Sequence, residues 1–275
     1  MDMNPVKICL FILFLAGFTF AQQKRLTVSA ENIQTDMQMH VCKNAERLES
    51  VKKIFKKMGA ADDEIKIEKL DDVENFVVTK KGKTDEIVVV GAHYDKVSDG
   101  CGAIDNWTGI VILANLFASL RDLQTDKTFI FVAFGKEEKG LLGSSSMAKA
   151  IPKDKRSLYC AMINFDSFGF TYPQVLTNTS NSKMTKFAKE LALEVKMPFS
   201  EASLAGVADA DSSSFLDKDI PAITLHGLPR NWTEYLHSSK DKLENVNSQS
   251  VLVGYRFAVL YLSKIDTKPC NIFRK

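Results

Sequence analysis

The chain has 275 residues, 45% of them hydrophobic and 25% charged, with a formal net charge of +2. That is ample material for one large domain with a sizeable core, in proportions usual for a globular protein. The near balance of charge gives a nucleic acid or an anionic membrane nothing to hold, so neither is expected as a partner.

The first stretch stands apart from the rest. Lys7 precedes the apolar run ICLFILFLAGFTFA, which closes on the small residue Ala21 and gives way to polar QQKR. A short basic region, an apolar run too short to span a bilayer and a small exit residue describe a secretory signal peptide. Gln22 stands where a lipoprotein would need cysteine. Residues 1–21 are therefore expected to be removed and residues 22–275 to form the folded domain. The mature chain is expected to be secreted or periplasmic, without a membrane partner. In such a compartment Cys42, Cys101, Cys160 and Cys270 can pair. Three complete pairings are open, and so are four free thiols; no C-x-x-C spacing marks a redox or zinc-thiolate motif.

Over residues 44–60, apolar Leu48, Val51, Ile54, Phe55 and Met58 recur at helical spacing until Gly59 ends it. NFVVTKKGK reads as a strand running into a turn, and DEIVVVGAH as a buried strand ending at Ala92 and His93. NWTGIVILANLFASLRDL follows as a helix, KTFIFVAFG as an apolar strand and GLLGSSSMAKAI as a helix. SLYCAMINFD is a third buried strand, NSKMTKFAKELALEV an amphipathic helix, IPAITLHG a fourth buried strand, and SQSVLVGYRFAVLYLSKI a long closing helix. Strands that are apolar throughout and alternate with helices predict an α/β fold. It has a mainly parallel central sheet, helices on both faces and a single domain. Ligands of such sheets bind beyond the carboxyl ends of the strands.

Histidines and carboxylates stand at those ends. His93 closes the first buried strand, with Asp95 two residues on and Asp105 beyond; Glu137 and Glu138 follow the second; Asp166 follows the third; His237 comes a loop after the fourth, with Asp241 four further. Each alone has a plain explanation: a surface histidine, a glutamate pair on a solvated helix, an aspartate capping a helix. Their succession along one sheet edge argues for cations lying between them, since crowded like charges repel. Asp105, Glu138 and Asp166 bring negative charge and His93 and His237 neutral nitrogen. Two Zn²⁺ with a shared hydroxide leave the cluster near neutral, and this donor mix suits zinc ahead of manganese or cobalt. Asp95 stands where it can accept the second ring N–H of His93 and set its tautomer.

AHYDK, GAIDNWTG, FGKEEKGLLGS, INFDSFG, IPAITL and YLHSSKD occur in that order from Gly91 to Asp241. Together they resemble the co-catalytic dizinc aminopeptidases, secreted zinc exopeptidases that share a fold with the animal-type glutaminyl cyclases. The resemblance implies a zinc peptidase catalytic domain and two Zn²⁺ per chain. It implies that Asp105 bridges both, that His93 and Asp166 complete one site, and that Glu138 and His237 complete the other. It implies Glu137 as general base, a water bridging the two ions as nucleophile, and peptides with a free N-terminus as substrates. Lys136 departs from the family's usual Gly or Ala, and Trp107 from its usual small residue. Trp107 either lines the substrate pocket or packs in the helix face. His226 reads as structural or pocket-lining, His40 as a surface residue, and the serines at 144–146 as the start of a helix. Loops within 200–234 are expected to build the pocket. NWT at Asn106, NTS at Asn178 and NWT at Asn231 fit the glycosylation pattern.

Two other functions share these residues. One is a glutaminyl-peptide cyclase, which typically carries tryptophan before the last histidine, where Leu236 stands here, and an insertion after the glutamate pair, where EEKGLLGS is uninterrupted. The other is a non-catalytic binding module of the same fold, against which the full set of ligands and base argues.

Overall fold

The computed structural model describes residues 28–70 and 72–274; the expected signal peptide lies outside the described residues. Helices α1 (Ala30–Met37) and α2 (Asn44–Lys57) lead into strands β1 (Ile65–Leu70), β2 (Val73–Lys80) and β3 (Ile87–His93). Then come α3 (Thr108–Leu120), β4 (Thr128–Phe134), α4 (Leu142–Ala150), β5 (Tyr159–Phe165), β6 (Gln174–Leu176) and α5 (Ser182–Glu194). β7 (Ser200–Ala202), α6 (Asp211–Leu216), β8 (Ala222–His226) and α7 (Ser248–Asp266) complete the chain.

The strands form one eight-stranded sheet in the order β1-β2-β4-β3-β5-β8-β6-β7. Its centre, β4-β3-β5-β8, is parallel throughout. The β1-β2 hairpin joins β4 antiparallel, and β6 joins β8 antiparallel at the other side. The four central strands are the four apolar runs of the sequence, with β2 as the strand read in NFVVTKKGK. β1, β6, β7, α1 and α6 carry weaker signals. IKIEKL in β1 alternates with charge at a sheet edge, and β6 and β7 have three residues each.

Alternation along β3 divides the core. Val88, Val90 and Ala92 face the larger cluster, built with residues of α1, α2, α3, α5 and α7. Val89 faces a smaller one with Val132, Phe134, Met147, Met162 and Phe215, under α4 and α6. Almost all of α3 is buried, which is why TGIVILANLFASL is apolar on every side rather than amphipathic. α3 begins at Thr108 and not at Asn106, because Asp105 and Asn106 hold non-helical backbone angles. α4 begins at Leu142, because Leu141 has a φ of 59°. Two disulfides resolve the open cysteine question, Cys42 to Cys101 and Cys160 to Cys270.

Candidate metal centre

The parallel strands end together, and their last residues supply the cluster. His93 is the final residue of β3, paired across to Phe134 of β4. The turn after β4 carries Glu137 and Glu138. Asp166 follows β5, its N–H donating to Leu225 O of β8 at 3.0 Å. His237 arrives from the loop after β8, with a φ of 55°.

Asp105 sits at the centre. His93 Nε2 lies 3.1 Å from its Oδ1, and His237 Nε2 lies 3.2 Å from its Oδ2. Each histidine meets a second carboxylate as well: His93 Nε2 is 3.6 Å from Asp166 Oδ1, and His237 Nε2 is 3.2 Å from Glu138 Oε2. The result is two triads sharing one aspartate, His93–Asp105–Asp166 and Asp105–Glu138–His237, each compact enough for its ligand atoms to meet one ion. Glu137 belongs to neither of these two, but its carboxylate lies within 4.8 Å of ligand atoms of His93 and Glu138, one from each triad.

Electrostatics of the bare chain show how much positive charge the cluster demands. Burial would lower the His93 pKa, but Glu137, Asp105, Asp166 and Asp95 outweigh it and hold the ring well above its ordinary value. Asp105 and Glu138 push His237 up to about 10. Burial would raise Asp105, yet hydrogen bonds from both histidines keep it below the usual carboxylate range. Without another cation the two imidazoles carry the protons themselves. Glu138 Oε1 is buried with no hydrogen-bond partner among the described residues. Two imidazoles, shared carboxylates and this orphaned oxygen fit divalent zinc, which takes nitrogen and oxygen donors in such sets.

The residues around the cluster fix its geometry. Asp95 does so differently from expectation: its carboxylate oxygen is 3.7 Å from His93 Nδ1, beyond a hydrogen bond, and the ring nitrogen lies 3.2 Å from the Asp95 main-chain carbonyl instead. The Asp95 side chain accepts from the backbone N–H groups of Glu137 at 2.9 Å and Glu138 at 3.2 Å, so it holds the glutamate turn. Lys136 precedes that turn with a φ of 56°, a left-handed conformation that glycine adopts freely and a residue with a Cβ does not. Its side chain reaches out to Asp72.

Asn106 staples the Asp105 loop to β5. Its Nδ2 donates to Phe165 O at 2.8 Å, and its Oδ1 accepts from Gly109 and Ser167 N–H at 3.0 and 3.1 Å. Gly109 is required by this contact, since a Cβ there would lie 2.4 Å from Asn106 Oδ1 and 2.5 Å from Phe165 O. Arg47, wholly buried, donates to the carbonyls of Val41, Cys101, Gly102 and Tyr94. Asp241 accepts the Ile104 N–H at 2.6 Å. Sequence reading missed Arg47, because a basic residue in a charged amphipathic helix looks solvent-facing.

Other expectations divide. Trp107 is fully buried in the larger core cluster, so it packs rather than lining the pocket. His40 is not a surface residue. It is half-buried, its ring edge-on to Trp107 and its Nε2 2.5 Å from Cys101 O, and burial lowers its pKa to about 4. His226 lines a cavity of about 340 Å³ over the cluster, which also meets Leu176, Leu204, Leu228 and Trp232. The loop region expected to build the pocket supplies most of that apolar wall.

A doubly covered α/β sheet with this cluster at its carboxyl edge defines a class, the zinc-exopeptidase fold. More narrowly, residues 75–260 match the model of peptidase family M28, and the chain belongs to that family. A probable leucine aminopeptidase of Arthroderma otae is 27% identical over 81% of this chain and 65% of its own length. The chain thus spans a little under two thirds of that curated relative. Among solved structures, BSAP, a zinc aminopeptidase from Bacillus subtilis, superposes with a TM-score of 0.64 at 22% identity, over 72% of this chain and 52% of that one. A glutaminyl cyclase from an Acidobacteriales bacterium superposes with a TM-score of 0.73 at 16% identity, covering 98% of this chain and all of the other. At these identities the two likenesses show the fold alone.

Proposed function

We propose that this chain is an exported zinc aminopeptidase that hydrolyses the first residue from peptides with a free N-terminus. One observation carries the reading: Asp105 divides its two oxygens between two histidine–carboxylate triads, with a glutamate left over beside them. His93, Asp105 and Asp166 would hold one zinc ion, and Asp105, Glu138 and His237 a second. Bound zinc supplies Lewis acidity toward the scissile carbonyl and lowers the pKa of water.

The chain's own part is proton handling and placement. Glu137 accepts a proton from the attacking water and returns it to the departing amine. Burial, the largest influence, raises its pKa; His93 opposes that and Asp211, Asp166 and Asp105 add to it, so the bare carboxyl holds a proton readily. Asp95 keeps Glu137 and Glu138 in register through their backbone N–H groups. The two disulfides support export to an oxidising compartment.

The test is hydrolysis of an aminoacyl-amide panel by chelated, zinc-restored and untreated protein, with products identified by mass. Turnover should vanish on chelation and return with zinc. Full turnover after exhaustive chelation would sink the reading. A second reading, glutaminyl-peptide cyclisation on the same fold, is tested alongside. Conversion of a glutaminyl peptide to its pyroglutamyl form, without release of the first residue, would favour it.

A further inference from the structure

The cavity over the cluster does not end at its apolar wall. A second cavity of about 390 Å³ adjoins it and runs out past Tyr172 and Gln174 to Arg230; the two share Leu204, His226, Leu228 and Trp232. His226 is thus part of the partition. It is only 6% exposed. Leu228 N–H donates to its Nδ1 at 3.3 Å, so Nδ1 carries the lone pair and Nε2 carries the hydrogen. That Nε2 has no hydrogen-bond partner among the described residues. Burial lowers the ring's pKa to about 4, so it stays neutral and keeps this tautomer at ordinary pH. Folded proteins rarely leave a buried donor unmatched, because its lost hydration is not repaid.

The neighbouring polar groups do not match it. Gln174 is fully engaged, accepting from Ser200 Oγ at 2.8 Å and donating to Thr171 Oγ1 and Leu228 O. Arg230 is exposed and makes no hydrogen bond or ion pair among the described residues. The partition between the two cavities therefore combines an aliphatic and aromatic surface with an unmatched N–H donor buried in it, and the outer cavity adds a free guanidinium.

We infer that His226 and Arg230 read the side chain of the substrate's first residue and favour the glutamate class, an aliphatic stem ending in an acceptor oxygen. The stem packs on Leu204, Leu228 and Trp232, and the terminal oxygen accepts from His226 Nε2. Arg230 adds a preference for carboxylate over carboxamide. An apolar first residue leaves the His226 donor unpaired, which is the arrangement by which hydrogen-bonding sites reject analogues. The inference rests on the aminopeptidase reading, since it assumes that the first residue enters beside the metal ligands.

The experiment compares kcat/KM for glutamyl, glutaminyl and leucyl amides on the zinc-loaded protein, with products identified by mass. It is paired with calorimetric binding of free glutamate and free leucine. Wild type should prefer the glutamyl amide, and glutamate should bind more tightly than leucine. His226→Phe should cut the glutamyl-to-leucyl ratio on the order of 10–100-fold, the cost of losing one buried hydrogen bond; His226→Gln, which keeps a donor, should restore part of it. Arg230→Ala, a surface change, should narrow the glutamyl-to-glutaminyl ratio only. A leucyl preference in wild type overturns the inference, as does an unchanged ratio in His226→Phe or equal binding of the two amino acids. If no amide is cleaved yet glutamate still binds over leucine, the hydrolytic reading falls and the side-chain assignment stands.

Discussion

The two halves of the cluster share Asp105 but are made of different material. His93 ends a strand paired on both sides, and its side chain is 1% exposed. His237 hangs from a loop at a positive φ, and its side chain is 56% exposed. Asp166 is tied to β8 through its own N–H, while Glu138 depends on a short turn held by Asp95. Sites carried on strands are held more rigidly than sites carried on loops. The His93 side is therefore held by the sheet, and the His237 side by a loop and a short turn.

The shared residue offers the hardest way to break that comparison. Asp105→Asn should lose both ions and all measurable turnover; two zinc ions per chain by elemental analysis would show that sharing is wrong. Next is the base. Glu137→Gln should keep both ions but lose on the order of 10²–10⁴ in kcat, since the amide cannot accept the proton. Glu138→Gln should lose the loop-side ion and regain activity with excess zinc. If the metal loss falls on Glu137→Gln instead, the roles of the two glutamates are exchanged. Asp95→Asn should weaken zinc binding about 10–100-fold, the usual effect of disturbing a group that orients ligands. Unchanged affinity would leave Asp95 without its positioning role.

The smallest effect concerns protons. In the metal-free chain His237 has its pKa raised from 6.5 to about 10. A histidine raised on folding stabilises the fold fully below its unfolded pKa and loses that contribution as pH rises through the folded one. The thermal midpoint of metal-free protein should thus fall between pH 6.5 and 10 more than that of zinc-loaded protein, and modestly, because the group is half exposed. Zinc uptake should release protons and tighten as pH rises over the same window. Loading at pH 7 without proton release, measured by calorimetry in two buffers, would contradict the protonated cluster.

What was legible in the chain follows from period and position. Strands β3, β4, β5 and β8 announce themselves as apolar runs, and β3, β4 and β5 each deliver a histidine or carboxylate within a few residues, so the edge of the sheet can be read directly. The positioning groups are less visible because their partners lie far off in sequence. Asp95 reads as a partner for His93 two residues away, yet its side chain meets backbone 42 residues on. Arg47 reaches Cys101 and Gly102 across 54 and 55 residues, which no local pattern encodes. Trp107 could be read either way, since a helix buried on every side has no polar face to give its orientation.

Asn106 carries a consequence for making the protein. It begins an Asn-Trp-Thr sequon, yet it is wholly buried, and every polar atom of its amide is engaged by Phe165, Gly109 and Ser167. An oligosaccharide joined there during synthesis would bar the Asp105 loop from closing on β5. A eukaryotic secretion host would then divide its output into sugar-free molecules that mature and sugar-bearing ones that quality control retains. Asn178 and Asn231, both exposed, would tolerate the same modification. Asn106→Gln would not rescue yield, because the longer amide cannot keep all three contacts; Thr108→Ser would leave the sequon intact. Bacterial expression into an oxidising periplasm, where the two disulfides form and no such transferase acts on the chain, avoids the conflict.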